Sequence, residues 1–243
     1  MQCLILAGGL ATRMRPLTDR IPKALIPALG RPFVDHQLDW LAGHGVTDVV
    51  LSIGYRGDEL RAHVGDGSAH GLKVGYVDEG SDLRGTAGAV RLAFDQGVLE
   101  ERFLVTYGDS FLPIDFGEVF RAFGQSGAPA LMTVFHNQGR WDQSNVIFEG
   151  GRVVLYDKLR RTRPATDFAY IDYGLSALER RIVRAEIPSG VKADLADLFG
   201  ALSRRGDLAG LEVRDRFYEV GSPEGLEDFV GWLRGKRDEQ SNP

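Results

Sequence analysis

Short apolar runs alternate along the chain with longer stretches whose apolar positions recur at helical spacing. That alternation predicts an α/β fold with a mixed, mostly parallel central sheet covered by helices. Residues 1–6 read as a buried first strand, followed by strands at 48–53, 73–77, 102–106 and 130–135. Between them, residues 32–42, 55–64, 86–94 and 114–123 read as helices; in 86–94, Ala87, Val90 and Phe94 fall on one face. The character changes after Asn137. Residues 145–148 and 152–156 flank Glu149-Gly150-Gly151, the pattern of a β-hairpin with a glycine turn. A strand at 170–178 and helices at 195–202 and 223–234 follow, and the polar residues 236–243 are expected to fray. One domain over residues 1–243 is the economical reading, with its halves meeting near residue 136.

Composition narrows the function classes. With 43% hydrophobic and 26% charged residues among 243, the chain can bury a substantial core. No stretch approaches the roughly 20 apolar residues that span a bilayer, so no membrane partner is expected. The apolar start runs into Gly8-Gly9 and only then into Arg13 and Arg15, the reverse of a secretory signal's order. A cytoplasmic protein is the expectation. A net charge of −5 argues against nucleic acid as the main partner. Cys3 is the only cysteine, and the five histidines lack zinc-site spacing. Monomer and homodimer both remain open.

The strongest chemical signal is Leu4-Ile5-Leu6-Ala7-Gly8-Gly9-Leu10-Ala11-Thr12-Arg13, followed by Pro22-Lys23-Ala24. A buried strand that ends in adjacent glycines lets backbone amides approach a ligand, and the cations Arg13 and Lys23 suit a polyanion. Neither the P-loop pattern nor G-x-G-x-x-G is present. Taken alone, these residues also fit an ordinary glycine turn with two surface cations. Gly85-Thr86 opens a predicted helix, offering free amides and a positive dipole end, or simply a threonine cap. Asp109 ends a predicted strand, a position that suits a Mg²⁺ ligand and equally suits a turn.

The segment 4–27 closely resembles the signature of the sugar-1-phosphate nucleotidyltransferases, an apolar strand, A-G-G-x-[GA]-T-R-[LM], then P-K-[AP]. The resemblance implies a Rossmann-like fold, with a nucleotide-binding half over residues 1–136 and a sugar-phosphate-binding half over 137–235. It implies that Leu6, Ala7, Gly8 and Gly9 hold the nucleotide, that Arg13 grips the β- and γ-phosphates, and that Lys23 works at the reacting centre. Glu79, Gly85 and Thr86 stand where the family places its base- and ribose-contacting loop. Asp109 takes the place of the catalytic, Mg²⁺-binding aspartate, and Glu219 that of a second aspartate ligand. On the sugar-phosphate side the resemblance implies Tyr107, Asn145, Lys158 and the run Asp172-Tyr173-Gly174. Asp157 replaces a glutamate, and Tyr173 a small residue, so the sugar contacts depart from the family pattern.

The implied reaction joins a nucleoside triphosphate to a sugar 1-phosphate and releases pyrophosphate. Glu79 with Gly85-Thr86-Ala87-Gly88 looks most like small mannose- and heptose-1-phosphate guanylyltransferases that lack a C-terminal β-helix. GTP is therefore the first expectation, with UTP and CTP open. The departures at Asp157, Tyr173 and Glu219 motivate a second reading, a non-catalytic nucleotide-sugar-binding regulator. A glycosyltransferase would want D-x-D after the central strand, and Gly108-Asp109-Ser110 is not that motif.

Overall fold

A computed structural model describes residues 1–9, 14, 17–19 and 21–241. In chain order its elements are β1 (Gln2–Leu6), β2 (Pro27–Ala28), β3 (Arg31–Pro32), α1 (Phe33–Gly43), β4 (Asp48–Ile53), α2 (Gly57–Val64) and β5 (Lys73–Asp78). Then come α3 (Gly85–Asp95), β6 (Arg102–Tyr107), β7 (Ser110–Phe111), α4 (Phe116–Ser126) and β8 (Ala130–His136). The remainder comprises β9 (Val146–Glu149), β10 (Arg152–Tyr156), β11 (Tyr170–Glu179), α5 (Arg180–Glu186), α6 (Leu195–Arg205), β12 (Leu208–Val213), β13 (Tyr218–Glu219) and α7 (Pro223–Ser241).

Nine strands form one sheet in the order β5-β4-β1-β6-β11-β8-β12-β10-β9. Strands β5, β4, β1 and β6 are mutually parallel, as the alternating pattern predicts. The later half is where the sheet becomes mixed. Strand β11 runs antiparallel to β6, β8 and β9, and β10 runs antiparallel to β12 and β9, leaving β8–β12 as the parallel pair there. Gly150 and Gly151, at φ 54° and 78°, make the hairpin turn that the sequence announces.

Strands β4, β1 and β6 are buried on both faces along most of their length, which explains why they read as apolar runs, whereas β5 at the sheet edge is half exposed. Ile5, Leu51 and Leu104 face a core closed by Leu38 and Leu41 of α1, Leu60 of α2 and Val119 and Phe123 of α4. Leu4, Val105 and Met132 face the opposite core, closed by Val90 of α3, Val183 of α5 and Leu198 and Phe199 of α6. Each pair of neighbours in β1 thus anchors both layers.

A third cluster joins the chain's last helix to its first. Ser222 caps α7 by accepting the Gly225 amide at 3.1 Å, and Pro223 fills the first helical position. The helix runs on to Ser241, so most of the tail expected to fray is helical. Phe229 is fully buried, with its ring 5.2 Å from Phe33 and 4.8 Å from Phe111. Among the described residues no helix is long and apolar enough to cross a membrane. Phe229→Ala is expected to lower stability by about 3–5 kcal/mol in urea unfolding, because the aromatic cluster cannot close over the void. A loss under about 1 kcal/mol would show that α7 is only loosely docked.

Candidate functional site

Strand β1 lies between β4 and β6, pairing Leu6 with Ser52 on one side and Tyr107 on the other. The chain leaves β1 toward β4 and β5 and returns on the far side as β6, so the carboxyl ends of β1 and β6 part at a topological switch point. A cavity of about 380 Å³ opens there. Leu6 to Gly9 and Tyr107 to Asp109 form two of its walls, and Lys23, Glu79, Gly85 and Thr86 line it as well. Leu83, from the stretch that the resemblance assigns to base and ribose, also lines it, as does Gly221, which was not anticipated there. Arg13 lies outside the described residues.

Glu79 is buried and supports the floor. Its Oε1 accepts from Ser52 Oγ at 3.0 Å and its Oε2 from the Arg84 amide at 3.1 Å. A Cβ on Gly8 would stand 2.5 Å from Glu79 Oε1, so only glycine lets the turn rest on this carboxylate. Glu79 therefore lines the cavity while spending hydrogen-bonding capacity of both oxygens on the protein itself.

At the other end, Lys23 Nζ donates to Asp109 Oδ2 at 2.5 Å, with both side chains partly exposed to the cavity. The loop carrying Asp109 is fixed from two directions. Gln37 of α1 donates to the Tyr107 and Ser110 carbonyls at 2.9 and 2.8 Å, and the Val220 amide donates to the Asp109 carbonyl at 2.8 Å. Glu219 pairs with Ser110 across the β13–β7 ladder, one residue from Asp109 in the turn before β7, so the two carboxylates expected to hold metal lie on neighbouring segments. Gln37 was not anticipated, although its signal was present. It is a polar residue on the apolar face of α1, one turn from Phe33 and from Leu41.

The start of α3 corrects an expectation. Its first-turn amides are not all free, since Ala87 and Gly88 both donate to the Ala193 carbonyl, at 3.0 and 3.3 Å. Gly85, at φ +71°, lies so close that a Cβ would stand 2.5 Å from that carbonyl oxygen. Nor does Thr86 cap its own helix. Its hydroxyl donates to Asp194 Oδ1 at 3.0 Å and accepts from the Leu195 amide at 2.8 Å. Asp194 caps α6 through the Ala196 amide, and its Oδ2 accepts from Lys158 Nζ at 2.8 Å. Burial pushes this carboxyl up, but hydrogen bonds from Ala196, Lys158 and Thr86 outweigh it and hold Asp194 below the usual range.

Of the residues expected on the sugar side, Asn145, Asp172, Gly174 and Tyr107 touch one another in turn, with two exceptions among their neighbours. The Asn145 side chain accepts from the Asp172 amide at 3.1 Å, and Thr106 Oγ1 donates to the Gly174 carbonyl at 3.0 Å. Tyr107 lies against Gly174, its ring 3.8 Å from where a Cβ would be. Burial pushes the Tyr107 phenol well up, and the charges of Asp172, Asp194, Asp109 and Glu219 add to the effect. Both halves of the site thus act on one hydroxyl. Tyr173 is the first exception. It points into the core, stacked on Phe135 at 6.2 Å and edge-on to Phe217 at 5.8 Å, because alternate residues of a strand face opposite sides. Asp157 is the second. Its carboxylate accepts the Leu159, Arg161 and Thr162 amides and builds the loop after β10.

A model of the family described as nucleotidyl transferase matches residues 2–144. The chain belongs to the nucleotidyl transferase family. Among its relatives, a mannose-1-phosphate guanylyltransferase of Mycobacterium tuberculosis is 32% identical over 98% of this chain and 64% of its own length. A glucose-1-phosphate thymidylyltransferase of Streptomyces antibioticus is 31% identical over 78% of this chain and 53% of its own length. The chain spans between 53% and 64% of the length of these curated relatives and of a cyanobacterial UTP–glucose-1-phosphate uridylyltransferase. The fold matches HddC of Yersinia pseudotuberculosis complexed with GMP-PN, at TM-score 0.76 and 21% identity over 96% of this chain and 99% of that one. It also matches the inositol-1-phosphate CTP transferase of T. maritima, at TM-score 0.78 and 21% identity over 97% and 95% of the two chains.

Within this family member, Asp172 carries a carboxyl pushed up to about 6, chiefly by burial, against the opposing pull of the Gly174 amide and Lys158. The folded chain then holds this proton more tightly than the unfolded one. Its stabilising contribution is full below about pH 4 and is lost as pH rises through about 6. Asp172→Asn should therefore raise Tm relative to the parent above about pH 6 and leave it unchanged below about pH 4. A difference that stays constant across that range would contradict the raised carboxyl.

Proposed function

We propose that this chain transfers a nucleotidyl group from a nucleoside triphosphate, with GTP favoured, to a sugar 1-phosphate, giving a nucleotide sugar and pyrophosphate. The observation that carries this reading is the placement of Lys23 and Asp109 at one end of a glycine-floored cavity whose opposite wall connects to Lys158. The guanylyltransferase relative, aligned over 98% of the chain, supports GTP as the first choice.

A sugar-1-phosphate oxygen attacks the α-phosphorus, the α–β phosphoanhydride bond breaks, and pyrophosphate leaves on the opposite side. The nucleophile is already an anion at neutral pH, so the site needs no general base and instead supplies alignment and charge neutralisation. The Gly8-Gly9 turn lets the nucleotide lie against backbone. Lys23 meets the phosphates, Arg13 offsets the charge gathering on pyrophosphate, and Lys158 receives the sugar phosphate. Asp172, steadied by Asn145, accepts hydrogen bonds from sugar hydroxyls. Residues 1–136 form the nucleotide half and 137–235 the sugar-phosphate half on this reading.

The donor set suits Mg²⁺. Asp109, in the turn before β7, and Glu219, paired with Ser110 of β7, offer hard oxygen donors, and among the described residues no group of three or more His, Cys, Asp or Glu side chains forms an all-protein metal cage. Mg²⁺ prefers such a partial shell, keeping waters and taking substrate phosphates as its remaining ligands. Asp109 and Glu219 would hold it, and it would supply Lewis-acid polarisation of phosphate oxygens.

Four nucleoside triphosphates, each with pooled sugar 1-phosphates and Mg²⁺, test the proposal by pyrophosphate release. GTP-dependent release is expected, and Asp109→Ala should lower kcat by about 10²–10³-fold, the scale of a lost transition-state contact. Preference for UTP or CTP would overturn the nucleotide assignment. Binding of a nucleotide sugar without turnover under any pairing would replace catalysis with the regulatory reading.

A further inference from the structure

Lys158 sits on a long flexible stem at the rim of the site, with 54% of its side chain exposed. A lysine in that setting has many rotamers and must lose them to hold a phosphate. Its partner, Asp194, is far better fixed. Asp194 Oδ1 accepts from both the Ala196 amide and Thr86 Oγ1 at 3.0 Å. The backbone before it is tied to α3, with the Ala193 amide donating to the Arg84 carbonyl at 3.0 Å and the Ala193 carbonyl receiving Ala87 and Gly88. Thr86 and Gly85, which this segment grips, line the nucleotide cavity. Asp194 is therefore a post anchored to the nucleotide side that presents one carboxylate oxygen to a sugar-side cation.

We infer that Asp194 is a positioning residue for the acceptor substrate, holding the Lys158 ammonium where it meets the phosphate of the incoming sugar 1-phosphate. This inference rests on the transfer reading above. One of the three ammonium protons is spent on Asp194 Oδ2 at 2.8 Å, leaving two for a phosphate. Lys158 can serve both anions at once, so the contact does not have to break for substrate to bind. An exposed ion pair of this kind contributes little to fold stability, which makes direction rather than stability its consequence.

Asp194→Asn keeps an oxygen for Thr86 and the Ala196 amide while removing the charge that orients Lys158. With the substrate pair selected by the triphosphate panel, KM for the sugar 1-phosphate should rise about tenfold, equivalent to about 1.4 kcal/mol. KM for the triphosphate and Tm should stay close to the parent values. In a Lys158→Met background, the same Asp194→Asn change should add nothing to KM, as required if it acts through the lysine. An unchanged KM in Asp194→Asn would overturn the inference. So would an effect that persists undiminished without Lys158, or a matching rise in both KM values with a fall in Tm, which would mark a structural role. If the parent chain releases no pyrophosphate with any pair, the transfer reading fails and takes this inference with it. An active parent with an indifferent Asp194→Asn variant sinks the inference alone.

Discussion

Two neighbouring strands that send their chains in opposite directions set the terms for the whole molecule. Because β1 leads toward β4 and β5 while β6 lies against β11, a cavity opens beyond their carboxyl ends, walled in part by the turns that follow the two strands. Those turns are Gly8-Gly9 and Gly108-Asp109, and each is pinned to the sheet. The Ala7 amide donates to the Ser52 carbonyl at 2.8 Å, and the Gly108 amide to the Leu6 carbonyl at 2.9 Å. The two hydrophobic layers then hold the sheet rigid beneath them. A carboxylate and a lysine placed on such a frame lose little further freedom when substrate arrives, which is the physical content of preorganisation.

The antiparallel half is attached so that it completes this opening. Strand β11 pairs with β6 along its carboxyl-terminal half, while Tyr170 at its start pairs with Val146 of β9. The irregularity between Asp172 and Ser176 falls where the strand changes neighbours, and it brings Gly174 beneath Tyr107. The segment before α6 crosses back to the start of α3. The two parts of the site therefore share one physical link, the Thr86–Asp194–Lys158 chain, while the charges of Asp172, Asp194, Asp109 and Glu219 all act on the Tyr107 phenol.

Much of this frame was legible in the residues. The strand at 48–53 coincides with β4, the glycine hairpin is present, and Lys23 and Asp109 meet although 86 residues separate them. Other features were hidden for identifiable reasons. Strand β12 carries Gly210 at its middle, which breaks the apolar run, yet Phe148 packs where a Cβ would stand. Helix α5 is seven residues of mostly charged sequence that buries only Ile182 and Val183. The amides of α3 read as available because the carbonyl that takes them belongs to Ala193, far along the chain, and local sequence carries no sign of that contact. Tyr173 was placed toward the sugar by its neighbours in the motif, whereas strand alternation turns it into the core. Asp194 had a local signature as a helix cap, but its contacts with Thr86 and Lys158 follow only from the tertiary fold.

The most direct measurement is a crystal structure of the chain with a non-hydrolysable nucleoside triphosphate and Mg²⁺. The account predicts the triphosphate lying over Gly8-Gly9 with its phosphates directed to Lys23 and Asp109, and the base toward Leu83 and Gly85. Nucleotide bound elsewhere, for example against Trp141 and Arg214 at the carboxyl edge of β8 and β12, with the β1–β6 opening left to solvent, would contradict it.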